Sequence, residues 1–415
     1  MLLSIKQTFV PNEKERIILG CLSYASFKLW NIANYEKKNY KTLGLSSFPN
    51  WYEQKRNLKD NFWYKNLPSQ TAQEVLNTLQ QGWNSFFKLK KTKGILNPRP
   101  PKFKHKNTGF KYLNNGFSQT DNGAFRFSIP KQLKLYLKDK YAIDDNYFFL
   151  KTKRFSDIKN IKQIEFIPLS KEKYEVIFIY EVEDVSILPD NGNYLSIDIG
   201  IKNLFTGYDN YGETFIISGN RYLNTSYYYN KKIAYYQSIS DGQQSAEGIK
   251  YPKKSERVLR LYEKRNNCIT DIIHKSTHYI ANYCKENKIN TVVIGDITNI
   301  REGNSLGSKN NQVFHALPYK KIYDTLEYKL KLNGIKLIKQ KESYSSQCSP
   351  DSEKVSKKYA KKSNRKYRGL YVNKNTIYNA DCVGAYNILR LYAQTIKENI
   401  LYPLNGLSNP TKVTV

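Results

Sequence analysis

The chain has 415 residues, 40% of them hydrophobic, and carries 67 Lys and Arg against 36 Asp and Glu, a formal charge of +31. That is enough to bury sizeable cores in two or three domains, which excludes a disordered tail, and the basic excess points to a polyanionic partner. No apolar stretch approaches the ~20 residues of a membrane-spanning helix. Met1 to Lys6 lacks the charged and apolar regions of a signal peptide. Five scattered cysteines (Cys21, Cys268, Cys284, Cys348, Cys382) with no Cys-x-x-Cys pair argue against a disulfide framework. A cytoplasmic protein with no membrane association is expected.

In chain order, Leu3 to Val10 alternates like a strand. Pro11-Asn12-Glu13 then opens a helix carrying Ile17, Leu19, Leu22, Ala25, Leu29 and Ile32. A second helix begins at Leu67-Pro68-Ser69-Gln70, where Val75, Leu76, Leu79, Trp83, Phe86 and Phe87 fall at three- and four-residue steps and form a core-facing stripe.

Lysines follow at once, including Lys90, Lys91 and Lys93, then a proline-stiffened run with Arg99, Lys102 and Lys104. A charge run is usually a solvated face, but the prolines give an extended path and similar charge recurs downstream, so phosphate contact is the better reading. The 35 tyrosines, many among lysines, suit the stacking of single strands. A base-composition bias enriching Lys, Tyr, Asn and Ile together would explain the tyrosines as well, though not the charge.

From Phe110 to about Val185, short alternating runs predict an antiparallel β-module. Asp190-Asn191-Gly192-Asn193 is a break, after which strands alternate with longer helices. A helix from about Lys254 to Glu286 sets Ile269, Ile272, Ile273 and Ile280 on one face, with Arg257, Arg260, Lys264 and Arg265 nearer its start. His274 and His278 on it lack the intervening glutamate of a zinc-protease helix and read as ordinary histidines. The Gly/Ser/Asn-rich stretch Arg301 to Gln312 reads as a mobile loop, a candidate lid.

Tyr194 to Gly200 is an apolar strand interrupted by Asp198, and an acid there is costly unless paired or bound to a metal. Further strands follow at Leu204–Tyr208, Glu213–Ser218, Thr291–Ile297 and Gly334–Ile338, the last running into Glu342. Asp381 stands in the first turn of a helix whose small residues allow close packing on a sheet. Phosphodiester hydrolysis by two ions needs such converging carboxylates, and an oxygen-only set suits Mg²⁺ or Mn²⁺, a ligand role being weighed against structural capping acids.

At these residues the sequence resembles the TnpB proteins of insertion sequences, relatives of the type V CRISPR effectors. The likeness runs through Leu67-Pro68-Ser69, Trp83 to Phe87, Ser196-Ile197-Asp198-Ile199-Gly200, His274-Lys275, Ile294-Gly295-Asp296, Glu342 to Gln347, Arg368-Gly369-Leu370, and Asn379-Ala380-Asp381 through Ile388. It implies an α+β multidomain fold. The parts would be a helical recognition region (13–99), a β-barrel-like wedge (1–12 and 100–190), and an RNase H-like (RuvC) α/β nuclease domain (191–344 and 376–415) with a basic insert (345–375). It also implies an RNA-guided double-stranded DNA endonuclease, with a guide RNA derived from the element's own end, a short target-adjacent motif and two Mg²⁺ ions. The protein would act as a monomer with its RNA.

Two departures stand out. The family's second strand commonly ends Ile-Glu-Asp, with the glutamate as ligand, whereas here that position is Gly295. Asp296, one step on, belongs to the other strand face. We therefore assign catalysis and metal binding to Asp198, Glu342 and Asp381, Glu342 taking the missing role ahead of Asp296 or a dead site. The family's zinc knuckle keeps only Cys348; Asp351, Tyr371 and Lys374 occupy the other places, so zinc is not expected. The insert's Lys357, Lys358, Lys361, Lys362, Arg365 and Arg368 suit nucleic acid. The rivals are a nuclease-inactive RNA-guided DNA-binding repressor of the same fold and a true transposase.

Overall fold

The structure is a computed structural model that describes all residues except 93–95, 153–157, 171, 297–311, 313–315, 366, 368, 374–375 and 398–401. The loop expected at 301–312 thus lies outside the described residues, Gln312 excepted, as do Lys93, Arg368 and Lys374. The chain divides into two compact units, Met1–Glu183 and Asp184–Val415. The division precedes Asp190-Asn191-Gly192 because the approach to that turn is bound to the second unit, where the Leu188 N–H donates to the Gly334 carbonyl at 2.8 Å.

In the first unit, strand β1 (Leu2–Phe9) leads into helix α1 (Glu13–Lys38). Asn12 caps α1 in a reciprocal capping box with Glu15. Short helices α2 (Trp51–Asn57) and α3 (Phe62–Lys65) precede α4 (Ser69–Lys91), which buries Val75, Leu76, Leu79 and Trp83. The β-module forms two antiparallel sheets. One is ordered β1-β7-β6-β2, with β2 (Phe110–Leu113), β6 (Ile161–Pro168) and β7 (Tyr174–Glu181). The other is ordered β3-β4-β5, with β3 (Phe117–Gln119), β4 (Phe125–Ser128) and β5 (Tyr147–Leu150). Phe110, Phe127, Phe148 and Phe166 pack together in its core.

The β reading of 110–185 misses helix α5 (Lys131–Tyr141). Leu133, Leu135 and Leu137 alternate like a strand, yet Leu133 and Leu137 are buried one turn apart while Leu135 is 62% exposed. Periodicity over so short a run fits either form, and packing decides it.

The second unit is built on one six-stranded sheet. In chain order its strands are β8 (Tyr194–Ile199), β9 (Asn203–Asp209), β10 (Thr214–Ser218), β11 (Thr291–Asp296), β12 (Lys336–Lys341) and β15 (Thr411–Val413). Their spatial order is β12-β11-β8-β9-β10-β15. β9 runs antiparallel to β8 and β10, whereas β11 is parallel to β8 and β12. Five strands ordered third-second-first-fourth-fifth, with the second reversed, make the RNase H-like arrangement.

One face of this sheet is covered by α6 (Asn220–Ala246), α7 (Glu256–Glu286) and α8 (Tyr319–Lys331), through a core containing Leu195, Ile197, Ile273, Ile294 and Leu326. The other face takes α9 (Ala380–Ile396), through Tyr194, Tyr208, Val293, Val383 and Tyr386. A hairpin of β13 (Leu370–Asn373) and β14 (Thr376–Asn379) feeds directly into α9. Among the described residues, no helix is long and apolar enough to cross a membrane.

Candidate active site

Alternation along β8 sends Leu195, Ile197 and Ile199 into the core under α6, α7 and α8, so Ser196 and Asp198 face α9. Ser196 fixes the approach of α9 by donating through Oγ to the Ala385 carbonyl at 2.7 Å. Asp198 lies two residues further along the same face. Its Oδ2 would stand only 2.7 Å from a Cβ on Gly384, so the helix can come this close only because that residue has no side chain.

The same alternation governs the neighbours. The last registered pair of β8 and β11 joins Ile197 to Ile294, so Asp198 and Gly295 come next, side by side. Gly295 pairs with Gln340, and Asp296 with Lys341 at the end of β12. Glu342 follows immediately, on the face shared by Gln340 and Gly295, and folds back over the glycine. An ideal Cβ on Gly295 would lie 1.5 Å from Glu342 Oε1 and 2.4 Å from its Cδ. The glutamate carboxyl thus occupies the space a side chain at 295 would need. Asp296 belongs by alternation to the opposite face, although its charge still reaches Glu342.

Asp381 arrives from the other layer, in the first turn of α9. Asn379 caps that helix, its Oδ1 accepting from the Asp381 and Cys382 amides at 3.0 and 3.2 Å. The Asp381 carboxylate accepts from Asn203 Nδ2 at 2.7 Å and pairs with Arg365 Nη2 at 3.2 Å.

The other two carboxyls lie deeper between the sheet and α9. Burial raises the pKa of Asp198 far above the usual carboxylate range and the charge of Asp381 raises it further, against the pull of Arg365. Burial raises Glu342 as well, reinforced by Asp198 and then Asp296. Glu342 Oε1 is buried with no hydrogen-bond partner. A buried, unpaired carboxylate oxygen beside a second repelled carboxyl is a strained arrangement that a cation would relieve. An all-oxygen donor set of this kind fits Mg²⁺ or Mn²⁺. As the side chains lie, no three His, Cys, Asp or Glu among the described residues close on a single ion. Arg365 and Asn203 hold Asp381 meanwhile.

The turn after Glu342 is fixed from α9. Asn387 Nδ2 donates to the carbonyls of Ser345 and Cys348 at 2.7 and 2.9 Å. Arg390 donates to the carbonyls of Ser349 and Ser352 and to Asn387 Oδ1. Within the turn, Tyr344 adopts a left-handed backbone with φ 67°, a conformation costing a non-glycine residue roughly 1 kcal/mol.

Where the family's zinc knuckle would lie, Cys348 is buried, its Sγ 3.3 Å from the Ser356 carbonyl. Tyr371 is fully buried, with its hydroxyl donating to the Gln347 carbonyl and accepting from Asn364. Asp351 accepts from Asn373. Side-chain to main-chain hydrogen bonds tie this region together. On α7, His278 bonds to Asn282 at 3.2 Å, and His274 is exposed, its pKa lowered by partial desolvation and then by Lys329 and Lys321.

The basic residues fall in three places. Lys90 and Lys91 are exposed in the last turn of α4. Residues 98–106 form an extended strap along α1. Asn34, Trp30 and Asn31 donate to the carbonyls of Pro101, Lys102 and Lys104, and Lys104 lies over the Trp30 ring at 4.4 Å. Arg99 and Lys102 project to solvent. In the insert, Lys357, Lys358, Lys361 and Lys362 are exposed, whereas Arg365 turns inward to Asp381. Sequence reasoning placed Arg365 with the phosphate-contacting residues and did not single out Asn203, Asn387 or Arg390. No local spacing marks those three, because each bonds to a segment distant in the sequence.

Two stretches of the chain match known family models. A family model described as OrfB_IS605, probable transposase, matches residues 177–301. A second, the Cas12f1-like TNB domain, matches 319–388, which spans Glu342, Arg365 and Asp381. The chain is thus similar, over these two stretches, to insertion-sequence and Cas12f1-like proteins. The TnpB-like protein ORF457 of Acidianus two-tailed virus is 23% identical over 97% of this chain and 90% of that protein. A Cas12f1-sgRNA-target DNA complex contains a chain of similar fold, with a TM-score of 0.61 at 15% identity, covering 91% of this chain and 83% of that one. The mini-RNA-guided endonuclease CRISPR-Cas_phi3 aligns over 98% of this chain and 93% of that one, at 11% identity and a TM-score of 0.41.

Proposed function

We propose that this protein is a TnpB-type RNA-guided double-stranded DNA endonuclease whose phosphodiester-cleaving site is Asp198, Glu342 and Asp381. The observation that carries the reading is the seating of the Glu342 carboxyl over Gly295, beside Asp198 at the carboxyl ends of parallel strands. Open α/β sheets bind ligands at such ends. The Cas12f1 chain of similar fold is seen with an sgRNA and target DNA, which supports the choice of partners.

In this reading the three carboxylates would hold two Mg²⁺ ions, or Mn²⁺. Bound there, the ions would supply an activated water and charge stabilisation for the leaving oxygen. Asp198 and Glu342 lie partly buried between the sheet and α9. Asn203 holds the Asp381 carboxylate, and Asn387 orients the turn carrying Glu342. Arg365, 38% exposed at the rim, can exchange its carboxylate partner for a backbone phosphate. Guide pairing would read the sequence beyond a short target-adjacent motif, while the strap and the insert lysines contact the backbone.

The test is to sequence the RNA that co-purifies with the chain and assay cleavage of a matched DNA with Mg²⁺ or Mn²⁺. Asp198→Ala, Glu342→Ala and Asp381→Ala should each abolish cutting while retaining RNA. Full cleavage by Glu342→Ala removes that residue from the site. The pairing of Arg365 with Asp381 favours a second reading, a non-cutting RNA-guided DNA binder. That reading prevails if no divalent metal supports cleavage of a target the protein demonstrably binds.

A further inference from the structure

The first unit contains a cavity of about 530 Å³ between α1, α3 and α5, distant in the chain from every residue assigned to catalysis. Its floor is Ile17, Gly20, Cys21, Ala25 and Leu133. Tyr24, Phe62, Tyr136 and Tyr141 stand around it, each between 40% and 55% exposed. The rings meet edge to face rather than closing over one another: Tyr24 on Trp63 with centroids 5.3 Å apart, Tyr136 on Tyr141 at 6.1 Å. Cations sit among them. Lys28 lies 5.2 Å from the Tyr24 ring, Lys140 lies 5.5 and 5.7 Å from Tyr136 and Tyr141, and Arg16 lines the opening.

Gly20 is the second observation. It lies in the interior of α1, where glycine is the most costly residue short of proline. A Cβ built there meets nothing within 4 Å, so no neighbouring packing requires the glycine. What its lack of a side chain provides is room in the cavity floor.

We infer that this cavity receives an unstacked nucleobase from a single-stranded segment of RNA. The rings supply stacking faces, and the Asn107 side chain in the wall can meet a base edge. Arg16, Lys28 and Lys140 complement the flanking phosphates. A purely apolar guest would leave those cations idle, whereas a nucleotide uses both rings and charges. RNA is the better source because unpaired loops present splayed bases, while duplex DNA must first unstack and unpair one. The inference rests on the proposed function only in taking a nucleic acid as partner.

The probe is a short single-stranded oligouridylate carrying one 2-aminopurine ribonucleotide, whose fluorescence falls on stacking. With the full chain, binding should quench it. Gly20→Leu, which fills the cavity from a position with open space, and Tyr136→Leu, which removes a ring, should each abolish the quenching. Each should also weaken binding by roughly tenfold or more. Gly20→Ala should fold like the parent and quench the probe to an extent between the parent and Gly20→Leu, showing that the loss grows with the volume added. Unchanged quenching and affinity in Gly20→Leu overturn the pocket, as does failure of the parent chain to quench the probe. Equal quenching of the deoxy version overturns the assignment to RNA. Guided cleavage is read in parallel on the same preparations. If the parent chain cuts its matched target while Gly20→Leu binds the probe normally, the pocket falls and the function stands; loss of cutting with normal probe quenching is the reverse.

Discussion

The carboxyl of Glu342 fills the volume that a side chain at position 295 would occupy, an ideal Cβ on Gly295 falling 1.5 Å from Oε1. The glycine is therefore the seat for an acid delivered from the adjacent strand. Gly295→Ala must expel Glu342 and should reduce metal-dependent cleavage at least tenfold, matching Glu342→Ala. The double variant Gly295→Glu/Glu342→Ala returns a carboxyl to the same space from β11 and should recover part of the Mn²⁺ binding lost in Glu342→Ala, measured by calorimetry. No recovery would mean that the turn, and not the location of the carboxyl, is what matters.

Asp198 and Glu342 both have carboxyl pKa values raised in the folded chain, by burial first; the charge of Asp381 adds to Asp198, and that of Asp198 to Glu342. The sign follows directly. Folding favours their protonated forms, so their contribution to stability is fully present below the unfolded carboxylate range, about pH 4. It is lost as pH rises towards the folded values. In a chelator, Asp198→Asn should therefore melt higher than the parent near neutral pH, with the gap closing on acidification. Mg²⁺ should raise the parent's melting temperature near neutrality and leave the variant's almost unchanged.

Asn387 donates to two otherwise separate carbonyls, Ser345 and Cys348, and is itself fully buried. Asn387→Ala strands both acceptors and should cost about 3 kcal/mol in denaturant unfolding of the second unit. Asp198→Ala, which removes a strained charge instead, should not share that loss. A cost below about 1 kcal/mol would show that the turn is held elsewhere.

Lys102 and Lys104 lie on a strap fixed to α1 by main-chain acceptors, so replacing them removes charge without releasing the strap. The pair Lys102→Gln and Lys104→Gln should lower the salt dependence of nucleic-acid binding by roughly 0.7 to 0.9 in log–log slope for each phosphate these lysines neutralise. An unchanged slope would return these residues to the role of a solvated face.

Much of this molecule is legible along the chain because its signals are local. The long helices announce themselves through apolar periodicity and caps, the strand around Asp198 through an acid in an apolar run, and α9 through Asp381 followed by small residues. The alternation that assigns Asp296 to the wrong face needs only the strand period. Charge on the strap and the insert is plain from composition.

Other features depend on distant segments meeting. Leu133-Lys134-Leu135-Tyr136-Leu137 fits a strand or a helix until neighbouring elements bury Leu133 and Leu137 together. Arg365 reads like the lysines around it until the insert folds it onto Asp381. Asn203, Asn387 and Arg390 carry no signal of their own, because a hydrogen bond between residues many positions apart exists only once both are placed. The sequence alone determined which carboxylates were available and that position 295 lacked one. Tertiary structure decided that the Glu342 carboxyl fills the space over that position, since only the pairing of β11 with β12 fixes which side chain lies over a glycine.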